Sequence, residues 1–217
     1  MLPPPRLVAP PTNATADPSA EEELLVDALR ARRAWAERAA LSRFTPVVRR
    51  VLLRILGTAA EVDDLCQEVF LRALDRLDGL RAGVELRSWF TSFAVNVARE
   101  MLRKRARRRW LLFFAAEDLP EPELGPALTD ADVAADLDAR QAVRAVYAVL
   151  GRMRVDLRTA FALRHLEGMD LQDVARACQV SLATIKRRLE AAETMFRMHA
   201  RRRPELEAWL GESERWR

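Results

Sequence analysis

Apolar residues recur along most of this chain at three- and four-residue spacing, and nowhere in strict alternation between turn dipeptides. That is the period of helices that bury one face, not of strands. The pattern begins near Glu21 and continues to about Arg43. Thr45 and Pro46 then read as an N-cap followed by proline at the first helical position. They predict a new helix through VVRRVLLRIL that stops at Gly57. Further helices are predicted from about Glu61 to Leu77 and from about Leu86 to Arg109, with a loop over 78–85 that holds Gly79 and Gly83. Four helices joined by short loops predict a compact bundle.

A second helical run extends from about Ala139 to Arg203 in shorter pieces: Ala139 to Leu150, Val155 to Leu166, Leu171 to Cys178 and Leu182 to about Ala200. Between the runs, residues 115–138 hold eight acidic residues, three prolines and no basic residue, which reads as a solvated linker. Residues 1–19 are dominated by proline and small polar residues and predict a disordered tail. Residues 204–217 form a short tail with Trp209 and Trp216. The expected architecture is all-α: two small helical domains, over 20–112 and 139–203, joined by an acidic linker over 113–138.

Composition narrows the function. Half of the 217 residues are hydrophobic, enough for a core, and only seven are glycine. The net charge is +4 and the pI about 9.8, so the basic character is clustered rather than uniform. Clusters are what a polyanionic partner responds to. Cys66 and Cys178 lie far apart, outside any Cys-x-x-Cys or Cys/His cluster, and read as small core residues without a disulfide. His165 and His199 lack partners at metal-ligand spacing, so no metal or cofactor is expected. With no Gly-rich phosphate loop and no nucleophile beside a base, neither an enzyme nor a small-molecule substrate is expected. No apolar run approaches the roughly 20 residues of a membrane span. The prolines near the N-terminus replace the apolar core of a signal peptide. A cytoplasmic protein without membrane insertion is the expectation.

Three segments carry chemistry. The first is LQDVARACQVSLATIKRRLEAAETMFR, from Leu171 to Arg197. Leu171, Val174, Ala175 and Cys178 share one face of a short helix, Gln179 and Val180 make a turn, and Ser181 is placed to cap the next helix. There Ile185, Leu189, Ala192 and Phe196 face inward. Ala183, Thr184, Lys186 and Arg187 occupy the first two turns, where a recognition helix meets base edges in a major groove. Arg187 suits a bidentate contact to guanine, and Lys186 and Arg188 suit phosphates.

The second segment is LRSWFTSFAVNVAREMLRKRARRR. Trp89, Phe90, Phe93, Val97 and Met101 form one apolar stripe, and Val95, Ala98 and Leu102 another, so the helix is expected to be packed on two sides. Ser92, Asn96, Arg99, Arg103 and Arg107 share a third line. Seven of the eleven residues from Arg99 to Arg109, Lys104 among them, are basic, which suits a phosphate backbone. Trp89 and its aromatic neighbours suit an unstacked base.

The third is EVDDLCQEVFLRALDRL. Val62, Leu65, Val69, Ala73 and Leu77 are expected to face the core, and Asp64, Gln67, Glu68, Leu71 and Asp75 to face outward. A leucine ringed by carboxylates and an amide reads as a protein-binding patch for a basic partner.

Together these segments resemble the extracytoplasmic-function group of bacterial RNA polymerase sigma factors. AAEVDDLCQEVFLRAL resembles the core-binding helix of that group, LRSWFTSFAVNVAREMLRKRARR the helix that follows it, and DLQDVARACQVSLATIKRRLEAA its second DNA-binding unit. The match covers about residues 21–200 in the family's order. It departs from the pattern at Gln179 and Ala183, where the family commonly has glycine, and at Arg154, where it has proline.

The resemblance implies that Asp64, Leu65, Gln67, Glu68 and Leu71 dock on core RNA polymerase. It implies that the first domain melts and holds the minus-10 element of promoter DNA, with a flipped base in the 78–85 loop and Trp89, Ser92, Asn96, Arg99, Arg103, Lys104 and Arg107 around the strand. The second domain would read minus-35 duplex through Ser181, Ala183, Thr184, Lys186, Arg187 and Arg188. The acidic linker would follow the RNA path of the polymerase, and an anti-sigma factor would be a further partner. Two other readings use the same residues. A stand-alone helix-turn-helix regulator would not need the acidic Leu71 face, and a pure protein-interaction module would not need the Asn96, Arg99, Arg103 stripe.

Overall fold

The structure, a computed structural model, describes residues 18–80, 85–113 and 137–206. In chain order the helices are α1 (Pro18–Arg30), α2 (Ala34–Leu56), α3 (Val62–Asp75), α4 (Leu86–Phe113), α5 (Leu137–Leu150), α6 (Val155–Phe161), α7 (Leu171–Cys178) and α8 (Leu182–Ala200). Short 3-10 turns cover Leu77–Gly79 and Pro204–Leu206, and a π turn covers Ala162–Leu166. No strand occurs among the described residues, and none of their helices is long and apolar enough to cross a membrane.

The first unit is built around α4, which packs on α2 and α3. Phe90 of α4 stacks on Phe44 of α2 at 5.0 Å and tilts against Phe70 of α3 at 4.9 Å, all three rings being buried. The start of α4 is capped from outside, since the Glu22 carboxylate of α1 accepts from the Leu86 N–H. In the second unit Phe161 stacks on Phe196 at 4.8 Å, and Leu206 closes the bottom of that core.

One boundary differs from the sequence reading. The expected break between Arg43 and Pro46 is absent, and α2 runs through Pro46 without interruption. The chain breaks instead at Ala31–Arg33, where Arg32 is left-handed at φ 50°. The reason is burial. Ala36, Ala40, Phe44, Val48, Val51, Leu52 and Ile55 form one continuous inward stripe across the proline. An interior proline costs about 3 kcal/mol, whereas burying each large side chain of the stripe contributes about 1.5–3 kcal/mol. The stripe outweighs the missing hydrogen bond.

Elsewhere the expected helices are present with shifted ends. Pro18 and Ser19, assigned to the tail, begin α1; α4 extends to Phe113 and α5 starts at Leu137. The rest of the N-terminal tail, the centre of the 78–85 loop, the body of the acidic linker and residues 207–217 lie outside the described residues.

The two units pack directly on each other. Helices α6 and α7 lie against α4, and the buried residues of α7 belong to the same apolar cluster as those of α2, α3 and α4. A linker of the length seen here is compatible with a closed or a splayed pair; the structure is closed.

Candidate nucleic-acid interface

Helices α7 and α8 form the helix-turn-helix. Asp170 caps α7, its carboxylate accepting from the Asp173 N–H at 2.8 Å, and that bond holds the Asp170 carboxyl below its ordinary range. The turn is left-handed at Gln179, with φ 55° and ψ 44°. The geometry that glycine usually supplies is therefore kept without glycine, at a conformational cost of about 1–2 kcal/mol. The Gln179 and Val180 N–H groups pay part of that back by donating to the Arg176 and Ala175 carbonyls at 3.0 and 3.1 Å. Ser181 caps α8 as expected, its Oγ accepting from the Thr184 N–H at 3.2 Å.

Cap and turn together aim the first two turns of α8 outward. Ala183, Lys186 and Arg187 are exposed and Thr184 is half-buried beside its cap. Ile185, Leu189, Ala192 and Phe196 are buried, as their spacing predicts. Arg188 departs from the expectation. It turns inward, its side chain is 20% exposed, and its Nε lies 3.6 Å from the Asp156 carboxylate. It belongs to the packing of α8 on α6 rather than to the open face.

On α4 the expected line of polar residues divides. Arg103, Lys104 and Arg107 are exposed at one end. Asn96 and Arg99 are half-buried, and Ser92 is buried with its Oγ donating to the Trp89 carbonyl at 2.7 Å. Trp89 is also held within the fold. Its Nε1–H donates to the Ala73 carbonyl at 3.2 Å and its ring tilts on Phe93 at 5.0 Å. The two apolar stripes of α4 explain why so little of it is free, because one packs on the first unit and α7 covers another side.

Cys178 of α7 is buried there, and its thiol is pushed up by burial, against the pull of Arg99 and Arg188 nearby. Arg99 Nε and Arg188 Nη1 are enclosed without a hydrogen-bond partner among the described residues.

On α3, Leu71 is 64% exposed and is flanked by exposed Asp64, Gln67 and Asp75 and half-buried Glu68. Leu65 packs against the core from its edge rather than within it. It is half-buried and lines a groove between α3 and α4 with Glu68, Val97 and Met101, while Cys66 and Phe70 take the interior positions. Arg72 spans this groove, donating to Glu68 at 2.6 Å and Glu100 at 2.7 Å. The acidic surface is thus partly neutralised from within, and Leu71 stands at its open edge. Among the described residues no group of three His, Cys, Asp or Glu could hold a metal.

Sequence reasoning missed Tyr147 and Arg158, which join the two units. Arg158 is 9% exposed and donates from Nε to the Ile55 carbonyl at 2.9 Å and from Nη2 to the Leu56 carbonyl at 2.8 Å. The Tyr147 hydroxyl lies 3.2 Å from the Arg54 carbonyl and 3.4 Å from that of Leu53. The available signal was an arginine inside the apolar stretch VDLRTAF and the chain's single tyrosine on the inner face of an amphipathic helix.

Two family models match the chain: Sigma-70 region 2 over residues 40–108 and Sigma-70, region 4 over residues 143–195. The RNA polymerase sigma-H factor of Pseudomonas aeruginosa is 30% identical over 140 residues, spanning 64% of this chain and 72% of that protein. The ECF RNA polymerase sigma-E factor of Haemophilus influenzae is 27% identical over 157 residues, spanning 72% and 82%. Among solved structures, CnrH in complex with the cytosolic domain of CnrY superposes with a TM-score of 0.55 at 16% identity, covering 82% of this chain and 95% of that one. The sigma factor RpoE of Bartonella quintana, in complex with the anti-sigma factor NepR, gives 0.52 at 20% identity over 76% and 96%. The two matched regions fall on the α3/α4 unit and the helix-turn-helix unit described above. The chain belongs to the sigma-70 family, in its extracytoplasmic-function group of RNA polymerase sigma factors, which bind core polymerase and direct it to promoters without being enzymes.

Proposed function

We propose the following division of labour within this sigma factor. Residues 20–112 form the domain that docks on core polymerase and holds the melted minus-10 strand, and residues 139–203 read minus-35 duplex. Asp64, Leu65, Gln67, Glu68 and Leu71 supply the docking face, with Leu71 inserted into an apolar site on a basic polymerase surface. Asn96, Arg99, Arg103, Lys104 and Arg107 follow the strand. Ala183, Thr184, Lys186 and Arg187 enter the major groove, Arg187 being the residue with the fork to read guanine. Ser181, Trp89, Ser92 and Arg188 act through packing and capping, since each is engaged inside the fold or at its own helix end.

The observation that carries the docking face is the large exposure of Leu71, 64%, within a ring of carboxylates. A single exposed leucine is ordinary on a protein surface; its place among carboxylates and an amide is what suits a basic partner that offers an apolar site. An anti-sigma factor is a further expected partner, because the sigma factor RpoE of Bartonella quintana is held with the anti-sigma factor NepR, and CnrH is likewise held with a second protein, the cytosolic domain of CnrY. Acting on polymerase and promoter would put the protein in the cytoplasm, which we propose as its location.

Run-off transcription with purified core polymerase on genomic promoter fragments tests the reading. Promoter-specific transcripts are expected with the native chain and should be lost with Leu71→Arg while the helical circular dichroism is unchanged. Full transcription by the substituted protein would remove Leu71 from the docking face.

A further inference from the structure

The outward face of α8 carries a charge of the wrong sign for its proposed partner. Beyond Arg187 that face holds Glu190, Ala191 and Thr194, all exposed and opposite the buried Ile185, Leu189, Ala192 and Phe196. Of the two carboxylates of α8, Glu193 is taken by His165 at 3.0 Å. Glu190 makes no ion pair among the described residues; those that α8 forms run from Glu193 to His165 and from Arg188 to Asp156. Lys186 stands four residues before Glu190, and a lysine N-terminal to a glutamate is the poorer order for a pair along a helix. Thr194 is turned back on the helix, its hydroxyl donating to the Glu190 carbonyl at 2.9 Å. With Ala183 and Ala191 small on either side, no longer neighbour on that line holds the Glu190 carboxylate away from a surface laid against it.

A carboxylate set into a surface that meets a polyanion is unfavourable unless the polyanion offers it a donor. In the major groove the donors are the amino groups of cytosine and adenine. Adenine N6 lies beside the N7 acceptor, which repels a carboxylate, and guanine and thymine present acceptors alone. Cytosine N4 is the donor without an acceptor beside it on its own base edge. The position along the helix also fits. At about 1.5 Å of rise per residue Glu190 lies about 4.5 Å beyond Arg187, against about 3.4 Å per base pair. Side chains three residues apart on a helix seated in the groove meet successive bases.

We propose that Glu190 is a specificity-determining residue of this sigma factor, its carboxylate accepting from the N4 amino group of a cytosine in the minus-35 duplex, one base pair on from the guanine read by Arg187. The inference rests on the assignment of α8 to the major groove of that duplex. A mismatched pair in such a site lowers affinity about 5- to 150-fold.

The test uses the full chain in complex with core polymerase. A promoter fragment that this complex transcribes is randomised over its upstream element, the bound pool is sequenced, and single duplexes from it are titrated at one fixed salt concentration. The native chain should select cytosine at the pair adjoining a selected guanine. Glu190→Ala should lose the cytosine preference and keep the guanine. Glu190→Gln should move the preference at that pair to adenine, whose N6 and N7 suit an amide. Arg187→Ala should lose the guanine and keep the cytosine. All three side chains replaced are exposed, so each variant should keep the native helical content and urea midpoint. If Glu190→Ala binds every sequence more tightly without changing which is preferred, the carboxylate only repels DNA and the proposal falls. A changed preference at the guanine in place of the cytosine would also overturn it, because Glu190 would then act by orienting Arg187. An upstream preference that neither Glu190→Ala nor Arg187→Ala alters would remove the assignment of α8 itself, and the Glu190 proposal with it.

Discussion

Gly57→Ala puts a single methyl group into the closest approach between the two units. The backbone there is left-handed, φ 73°, which costs alanine about 1–2 kcal/mol more than glycine. The added Cβ would also meet three Tyr147 ring atoms at 2.4, 2.7 and 2.7 Å. The ring is 3% exposed and cannot swing away without leaving its hydrogen bonds, so the clash adds the overpacking cost of about 1–3 kcal/mol. The expected loss is about 2–5 kcal/mol, capped by the free energy of separating the units, since the chain can escape the clash by opening.

The two contributions separate in a double-mutant cycle with Tyr147→Ala. In that background only the backbone cost remains, so Gly57→Ala should destabilise by about 1–2 kcal/mol. Urea unfolding followed by helical circular dichroism gives all four stabilities. A coupling of about 1–3 kcal/mol is expected between the two positions. Equal losses in both backgrounds would refute the account, because they would mean that the ring does not rest on Gly57 in solution.

Tyr147 is the only tyrosine of the chain, and burial pushes its hydroxyl from 10.0 up to about 12. Its phenolate absorbance at 295 nm should therefore appear with a midpoint near 12 in the native protein and near 10 in urea. The same shift means that the stability Tyr147 contributes is complete below pH 10 and disappears as pH rises through about 12, so a Tyr147→Phe chain should lose less stability over that window. Burial, with Asp63 adding to it, pushes the Cys66 thiol to about 11, and burial raises Cys178 as well. Both thiols should resist iodoacetamide at pH 8 in the native chain and react promptly in urea; fast native alkylation would contradict their placement. Ser181→Ala removes the cap of α8 and should cost about 1 kcal/mol in urea unfolding, with weaker promoter binding because the first turn that carries Ala183 and Thr184 frays.

Much of this molecule was legible in its local pattern. The inward faces of α7 and α8, the cap at Ser181, the turn at Gln179 and the C-terminal glycine after α2 all follow from spacing and residue type within a few positions. So does the exposed Leu71, which breaks the polarity of its own helix face. These features depend on interactions three or four residues apart, and those leave a periodic trace.

The tertiary structure decided what has no such trace. Pro46 reads locally as a helix start, and only the buried stripe on both sides of it carries α2 through. Ser92, Asn96, Arg99, Arg103 and Arg107 share a line by period, yet packing covers the first three to differing degrees and leaves the last two in solvent. Arg188 reads from the sequence as an open phosphate contact beside Arg187, and Asp156 on a neighbouring helix lies 3.6 Å from its inward-turned side chain. Tyr147 and Arg158 meet carbonyls 93 to 103 residues away. A hydrogen bond across that separation is set by how two helical units dock, and docking depends on shape and on which polar groups each unit leaves unsatisfied, not on any period along the chain.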